Sequence, residues 1–85
     1  MKLEEFKKLF PLKGKLTQEI IDNADINSIL RCRGARAIKE ALNSDNFDIS
    51  WGRVDGFINY YPVTTIERID FMKQETPMEV TFILI

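Results

Sequence analysis

The stretch FDISWGRVDGFINYY, residues 47–61, carries the strongest strand signal in the chain. Apolar Phe47, Ile49 and Trp51 alternate with polar residues, as in a β-strand with one buried face. A glycine-flanked turn separates this run from a second run that is rich in β-forming residues. The simplest interpretation is an antiparallel hairpin that ends at Pro62.

Three short helices are expected before the hairpin, since apolar residues recur there at helical spacing. Prolines, glycines and side-chain caps set their bounds. The predicted elements are a helix over 3–10 that stops before Pro11, a loop over 11–15, a helix over 18–24 capped by Thr17, and a helix over 29–42 capped by Asn27 or Ser28.

Gly34 interrupts the third of these helices, where it costs about 1 kcal/mol relative to Ala. One interpretation is that the helix packs closely against the sheet at this point. The other is that the backbone or phosphate of a partner approaches closely there.

The residues after the hairpin predict a fourth helix and a final strand. Thr64 or Thr65 would cap a helix of about ten residues. The tail 78–85 alternates at first and then becomes wholly apolar, which is typical of a strand inserted between others. The predicted architecture is a single α+β domain over residues 1–85. It consists of three N-terminal helices, a β-hairpin, one helix and a C-terminal β-strand, with a small three-stranded sheet packed on the helices.

Composition excludes several classes of chemistry. The 85 residues include one Cys and no His, so an intramolecular disulfide and Ser-His or Cys-His catalysis are excluded. Zinc sites are excluded as well, because His, the commonest metal ligand, is absent, and no Gly-rich phosphate loop is present. We therefore predict a protein with no catalytic residue, metal or cofactor. With no secretory signal and no long apolar run, a cytoplasmic protein without membrane contact is expected.

Arg31, Arg33, Arg36 and Lys39 form the most suggestive local cluster, because Arg can bind phosphate or carboxylate with two donors at once. A solvated helix face and a protein-binding surface are both compatible with it. Nucleic-acid binding is a third alternative, although the net charge of −1 gives a weak electrostatic attraction for polyanions. Cys32 lies in the same stretch, and we expect it to be structural rather than a nucleophile.

Aromatic residues crowd the predicted hairpin, where alternation places some on the core and some on the outer face. An exposed aromatic group beside Arg53 would have the composition of an interface hot spot. Cross-strand packing is the more ordinary explanation. The candidate aromatic contacts are the exposed members of Trp51, Tyr60 and Tyr61.

The order of these segments resembles that of small bacteriophage-encoded proteins of no established activity. They share a Thr-x-Glu-His-Ile-Asp segment, a helix with Cys-Pro-x-Ala-x-Ala followed by Ala-Leu, and a Val-Ser-Val-Gly strand. Ile20 replaces the His here, Arg33 replaces the Pro, and residues 72–75 replace a Phe-Asp-x-Gly segment. The resemblance covers about residues 16–85 and implies a phage origin, but no catalytic residue. The matching residues are Thr17, Glu19, Ile21 and Asp22, then Cys32, Ala35, Ala37, Ala41 and Leu42, then Ile49, Ser50 and Gly52.

These observations lead to one functional prediction and one alternative. The prediction is a small non-catalytic binding or inhibitor protein directed at a host protein, such as a defence or transcription component. The alternative is a nucleic-acid-binding module that uses the helix face from Arg31 to Lys39. The oligomeric state is left open.

Overall fold

One curled, five-stranded antiparallel sheet organises the chain, and a computed structural model describes all 85 residues of it. The α+β class is confirmed, but the expected three-stranded sheet is wrong. Across the sheet the strands lie in the order β1-β5-β4-β3-β2. The elements are α1 (Leu3–Lys7), β1 (Leu12–Leu16), α2 (Gln18–Asn23), α3 (Arg33–Leu42), β2 (Ile49–Trp51), β3 (Asp55–Ile58), β4 (Tyr61–Thr65) and β5 (Met78–Leu84).

The C-terminal strand lies inside the sheet, as its apolar sequence predicts. β5 pairs with β1 on one side and with β4 on the other. Its Val80 and Phe82 are buried on the face that the helices cover. A strand with neighbours on both sides has no exposed backbone edge, which suits a run that is wholly apolar from Phe82 onward.

Residues 11–15 were expected to form a loop, but Leu12–Leu16 form β1 instead. Gly14 makes this pairing possible, because the ring of Phe82 and the methyl group of Ala41 fill the space where a side chain would lie. The glycine thus marks a close approach between strand and helix rather than a loop.

No fourth helix forms after the hairpin. Residues 61–65 are the strand β4, and the ladder with β5 continues when the Ile66 amide donates to the Thr81 carbonyl. Arg68 then has a φ of 53°, which an α-helix does not allow. Pro62, expected to end the hairpin, lies within β4, where its carbonyl accepts from the Ile85 amide.

The helix predicted over 29–42 begins four residues late, at Arg33. Its first turn is lost because the Ile29 carbonyl accepts the amide of Trp51 instead of a helical partner. The shorter second helix follows prediction. Thr17 caps it, since its hydroxyl accepts the amide of Ile20.

The core lies between the sheet and the three helices. Trp51 meets Phe71 and Phe82 edge-on, at centroid distances of 5.6 and 5.4 Å. Gly34 lies directly against the indole of Trp51, so the interpretation of this glycine as a close-packing position is supported. The buried cluster also includes Phe6, Leu16, Ile20, Ile21, Cys32, Ala35, Ala37, Ile38, Ile58, Val63 and Val80.

Candidate partner-binding surface

Arg33 does not belong to a solvated basic face. Its guanidinium turns inward and donates to three carbonyls of the segment after β4, those of Phe71, Met72 and Gln74, at 3.0–3.3 Å. A further bond joins it to the Ile21 carbonyl of α2 at 3.1 Å. With both terminal nitrogens of its guanidinium bonded to backbone carbonyls, Arg33 holds two segments together and is not free to meet a partner.

The remaining cations of the cluster are largely neutralised. Arg36 pairs with Glu19 at 2.7 Å, and Lys39 pairs with Asp45 at 3.3 Å. Arg31 alone is exposed with no ionic partner. The cluster therefore presents less positive charge than its sequence indicates.

Arg53, expected at the tip of the hairpin, is exposed but paired. Its guanidinium binds Asp70 at 2.9 Å, and its carbonyl accepts the amide of Phe71. Together with Arg33, it fixes the irregular segment that connects β4 to β5. The side chain remains accessible, yet its charge is matched.

The aromatic candidates separate into core and surface. Trp51 is only 1% exposed, so it cannot contact a partner, and its place among the candidate contacts is corrected. Tyr61 is half-covered, because its ring packs on Phe6 at 5.1 Å. Tyr60 is 86% exposed and is the one candidate that reaches freely into solvent.

Tyr60 occupies an unusual backbone conformation. Asn59 and Tyr60 form the two-residue turn between β3 and β4, with φ values of 48° and 69°. Turns of this kind favour Asn followed by Gly, and a bulky residue with positive φ is strained by roughly 1–2 kcal/mol. Asn59 is well placed, since its side-chain oxygen accepts the amide of Asp48. Tyr60 gains no such bond, so its ring is held at the tip of the β3–β4 hairpin at a cost in stability.

Apolar side chains surround Tyr60 and form what we call the apolar tip surface, consisting of Leu30, Phe47, Phe57 and Tyr60. Leu30 is 66% exposed and Phe57 is 50% exposed. With Asp48, Ile49 and Ser50 they line a groove of about 400 Å³. Exposed apolar patches that are contiguous commonly mark interaction sites on small proteins.

The open face of the sheet extends this apolar tip surface. Phe57 pairs with Ser50 on one side and with Pro62 on the other. Ile85, itself exposed, follows beyond Pro62, because its amide donates to the Pro62 carbonyl. None of these four side chains carries a charge.

Sequence reasoning missed Leu30 as a surface residue because it placed Leu30 inside a helix. The turn from Asp25 to Arg31, closed by the bond from the Asp25 amide to the Arg31 carbonyl, brings Leu30 to the surface instead. Phe57 did carry a signal. It alternates with the buried Gly56 and Ile58, which places it on the opposite face.

Cys32 is buried, and its thiol donates to the Trp51 carbonyl at 3.3 Å. This packing fits the expected structural role. No group of three or more metal-ligating side chains comes together in the fold. The helices are all too short to cross a bilayer.

Two carboxylates have altered acidity. Burial raises the pKa of Glu67, but bonds from the Thr81 amide and hydroxyl and from its own amide outweigh this, with help from the Lys13 charge, and the net pKa is lowered. Desolvation likewise raises the pKa of Asp70, and its bonds to Arg53 and to the Met72 amide lower it overall. Both carboxylates serve the fold, since each holds a chain segment in place.

Comparison with known proteins identified no matching family model, no similar curated protein and no similar solved structure. The resemblance to bacteriophage proteins therefore stays a prediction.

Proposed function

We propose that this chain is a small, non-catalytic protein-binding module that contacts its partner through the apolar tip surface. The observation that carries the proposal is the exposure of Tyr60 in a strained turn, next to Leu30 and Phe57. A residue held in a costly backbone conformation points to a functional constraint. Tyrosine is also among the residues that contribute most to binding at protein interfaces.

The lining of the groove indicates what kind of partner fits. Asp48 is its only charged residue, and the Asp48 carboxylate forms no ion pair within the chain. The other lining side chains are apolar or uncharged. A segment that inserts an aliphatic or aromatic side chain and places a Lys or Arg beside Asp48 would match both features.

Nucleic-acid binding through the face from Arg31 to Lys39 has less support. Its cations are engaged by Glu19, by Asp45 and by backbone carbonyls. Affinity for nucleic acid depends on cations that can replace the counterions of phosphates. This face offers Arg31 alone for that purpose, so the protein-binding proposal is the stronger one.

The resemblance to bacteriophage proteins suggests a biological setting for this module. In that setting the module is phage-encoded, acts in the host cytoplasm and covers a surface on a host protein, such as a defence or transcription component. A binding protein of this size would inhibit by occupying a site on its target rather than by chemistry.

A peptide-library selection on the purified protein tests the proposal. We expect enrichment of peptides with an aliphatic or aromatic residue next to Lys or Arg. Tyr60→Ser and Leu30→Ser should each weaken binding of the selected peptides at least tenfold, whereas Arg31→Ser should not. Absence of enrichment, or binding that only Arg31→Ser reduces, would refute the proposal.

A further inference from the structure

The outer edge of β1 is open to hydrogen bonding. In the ladder between β4 and β5, the Ile66 amide donates to the Thr81 carbonyl, so the backbone groups of Thr81 face β4. Backbone groups of successive residues in a strand point to opposite sides. Val80 and Phe82 therefore face β1, where they pair with Gly14 and Leu12.

The same alternation applies along β1. Because Leu12 and Gly14 direct their amides and carbonyls toward β5, Lys13 and Lys15 direct theirs away from the sheet. No hydrogen bond within the chain engages the amide or carbonyl of either lysine outside the ladder. Two consecutive pairing positions are thus free.

The opposite edge of the sheet is blocked at Trp51. On β2, the amide of Trp51 donates to the Ile29 carbonyl, and the carbonyl of Trp51 accepts from the thiol of Cys32. The loop before α3 thus occupies the hydrogen-bonding groups at this position. Only the β1 edge leaves two pairing positions available.

Charge at the β1 edge selects what can pair there. Lys13 and Lys15 are both exposed, and no carboxylate lies within ion-pair distance of either. Glu79, the ladder partner of Lys15, and Glu67, whose pKa the Lys13 charge helps to lower, line the same groove and offset part of the positive charge. They lie on the open face of the sheet, since the Cβ direction of Gly14 between them points to Ala41 on the helical face. A second copy of this chain that paired antiparallel about Gly14 would place lysine opposite lysine, which destabilises the pair.

We propose that the β1 edge binds an extended acidic segment of another protein, which adds a sixth strand to the sheet. Acidic side chains two positions apart would lie opposite Lys13 and Lys15, and an apolar side chain between them would lie on the helical face beside Gly14. Backbone bonds provide the affinity in such a complex, and the side chains provide the selectivity. This surface is separate from the apolar tip surface, at the other end of the strand order.

A capped peptide Thr-Glu-Val-Glu-Val-Thr is the probe, and hydrogen exchange of the Lys13 and Lys15 amides is the readout. Both amides should exchange fast in the free protein and at least tenfold more slowly with saturating peptide. A peptide with Lys in place of both Glu should bind at least tenfold more weakly. Methylation of the two Glu amides, which removes the donors that face β1, should have a similar effect.

Three variants of the protein complete the test. Lys15→Pro removes a backbone amide that faces away from the sheet but no hydrogen bond of the ladder. The variant should therefore keep the fold but no longer bind the acidic peptide. The double variant with Lys13→Glu and Lys15→Glu should not bind the acidic peptide and should bind the lysine peptide. Tyr60→Ser should bind the acidic peptide as the parent does, which separates this site from the apolar tip surface. Unchanged exchange of both amides, or equal binding of the acidic, lysine and methylated peptides, would overturn the proposal.

Discussion

Gly34 lies against the indole of Trp51 so closely that a Cβ at this position would overlap the ring. Helix α3 begins one residue earlier, so the contact sets how near the helix approaches the sheet. Trp51 is fixed in turn by Phe71 and Phe82. The indole therefore cannot move aside without disturbing the centre of the core.

Gly34→Ala should destabilise the protein by about 1–3 kcal/mol, because overpacking outweighs the gain in helix propensity. The free energy of unfolding in urea measures this. Gly52→Ala is the matched control, since a Cβ there would meet only the Asp55 carbonyl at an ordinary 3.5 Å. If Gly34→Ala is as stable as the parent, the close packing at Trp51 is refuted.

Arg33→Lys should destabilise the protein by about 2–3 kcal/mol, since a single ammonium cannot reproduce bonds from two guanidinium nitrogens to carbonyls of two segments. Denaturant unfolding of the variant provides the measurement. Arg31→Lys, at an exposed position without such bonds, should change stability by less than about 0.5 kcal/mol. Equal effects of the two substitutions would contradict the structural role of Arg33.

Sequence patterns could predict the elements that depend on local signals. The Thr17 cap, the second helix and the C-terminal strand all follow from nearby residues. The strand β1 could not be predicted, because a glycine next to lysines is typical of a loop. Gly14 is needed in the strand because the ring of Phe82 packs against it, and Phe82 is far away in sequence. A short-range signal cannot report a contact of this kind.

The missing fourth helix has a similar cause. The spacing of Ile66, Ile69 and Met72 is helical, but the carbonyls of the segment are taken up by Arg33, and Ile66 continues the ladder with β5. Tertiary bonds thus override a helical pattern. The site was predicted only in part. Tyr60 was a candidate contact, but it was expected within a strand and lies instead in the turn between β3 and β4. The exposure of Leu30 depends on the turn closed by the bond from the Asp25 amide to the Arg31 carbonyl.

Tyr60→Gly should stabilise the protein by about 1 kcal/mol, because glycine adopts positive φ without strain. Thermal unfolding would detect this as a rise in Tm. The same substitution should weaken binding of peptides selected on the parent at least tenfold. A lower Tm would contradict the strain at Tyr60, and unchanged binding would contradict its role as a contact.

Glu67 should make the free energy of unfolding depend on pH. Its pKa lies below the ordinary 4.5 in the folded state, so its stabilising contribution is present above 4.5 and is lost as the pH falls through the folded value. Unfolding free energies measured from neutral to acidic pH should therefore decline less steeply in Glu67→Gln than in the parent. Asp70 contributes in the same direction and leaves some decline in the variant.

Glu75→Gln is the control for this prediction, since Glu75 is exposed and its carboxylate forms no hydrogen bond or ion pair. The free energy of unfolding of Glu75→Gln should decline toward acidic pH as that of the parent does. Identical pH profiles for Glu67→Gln and the parent would show that the bond from the Thr81 amide to Glu67 does not contribute.

The central claim is that partners bind at the apolar tip surface rather than at the basic cluster. Backbone amide chemical shifts of the protein, recorded while a selected peptide is titrated, test this most directly. The largest shifts should occur at Leu30, Phe57 and Tyr60. Shifts concentrated at Arg31, Arg36 and Lys39, with Leu30 and Tyr60 unaffected, would contradict it.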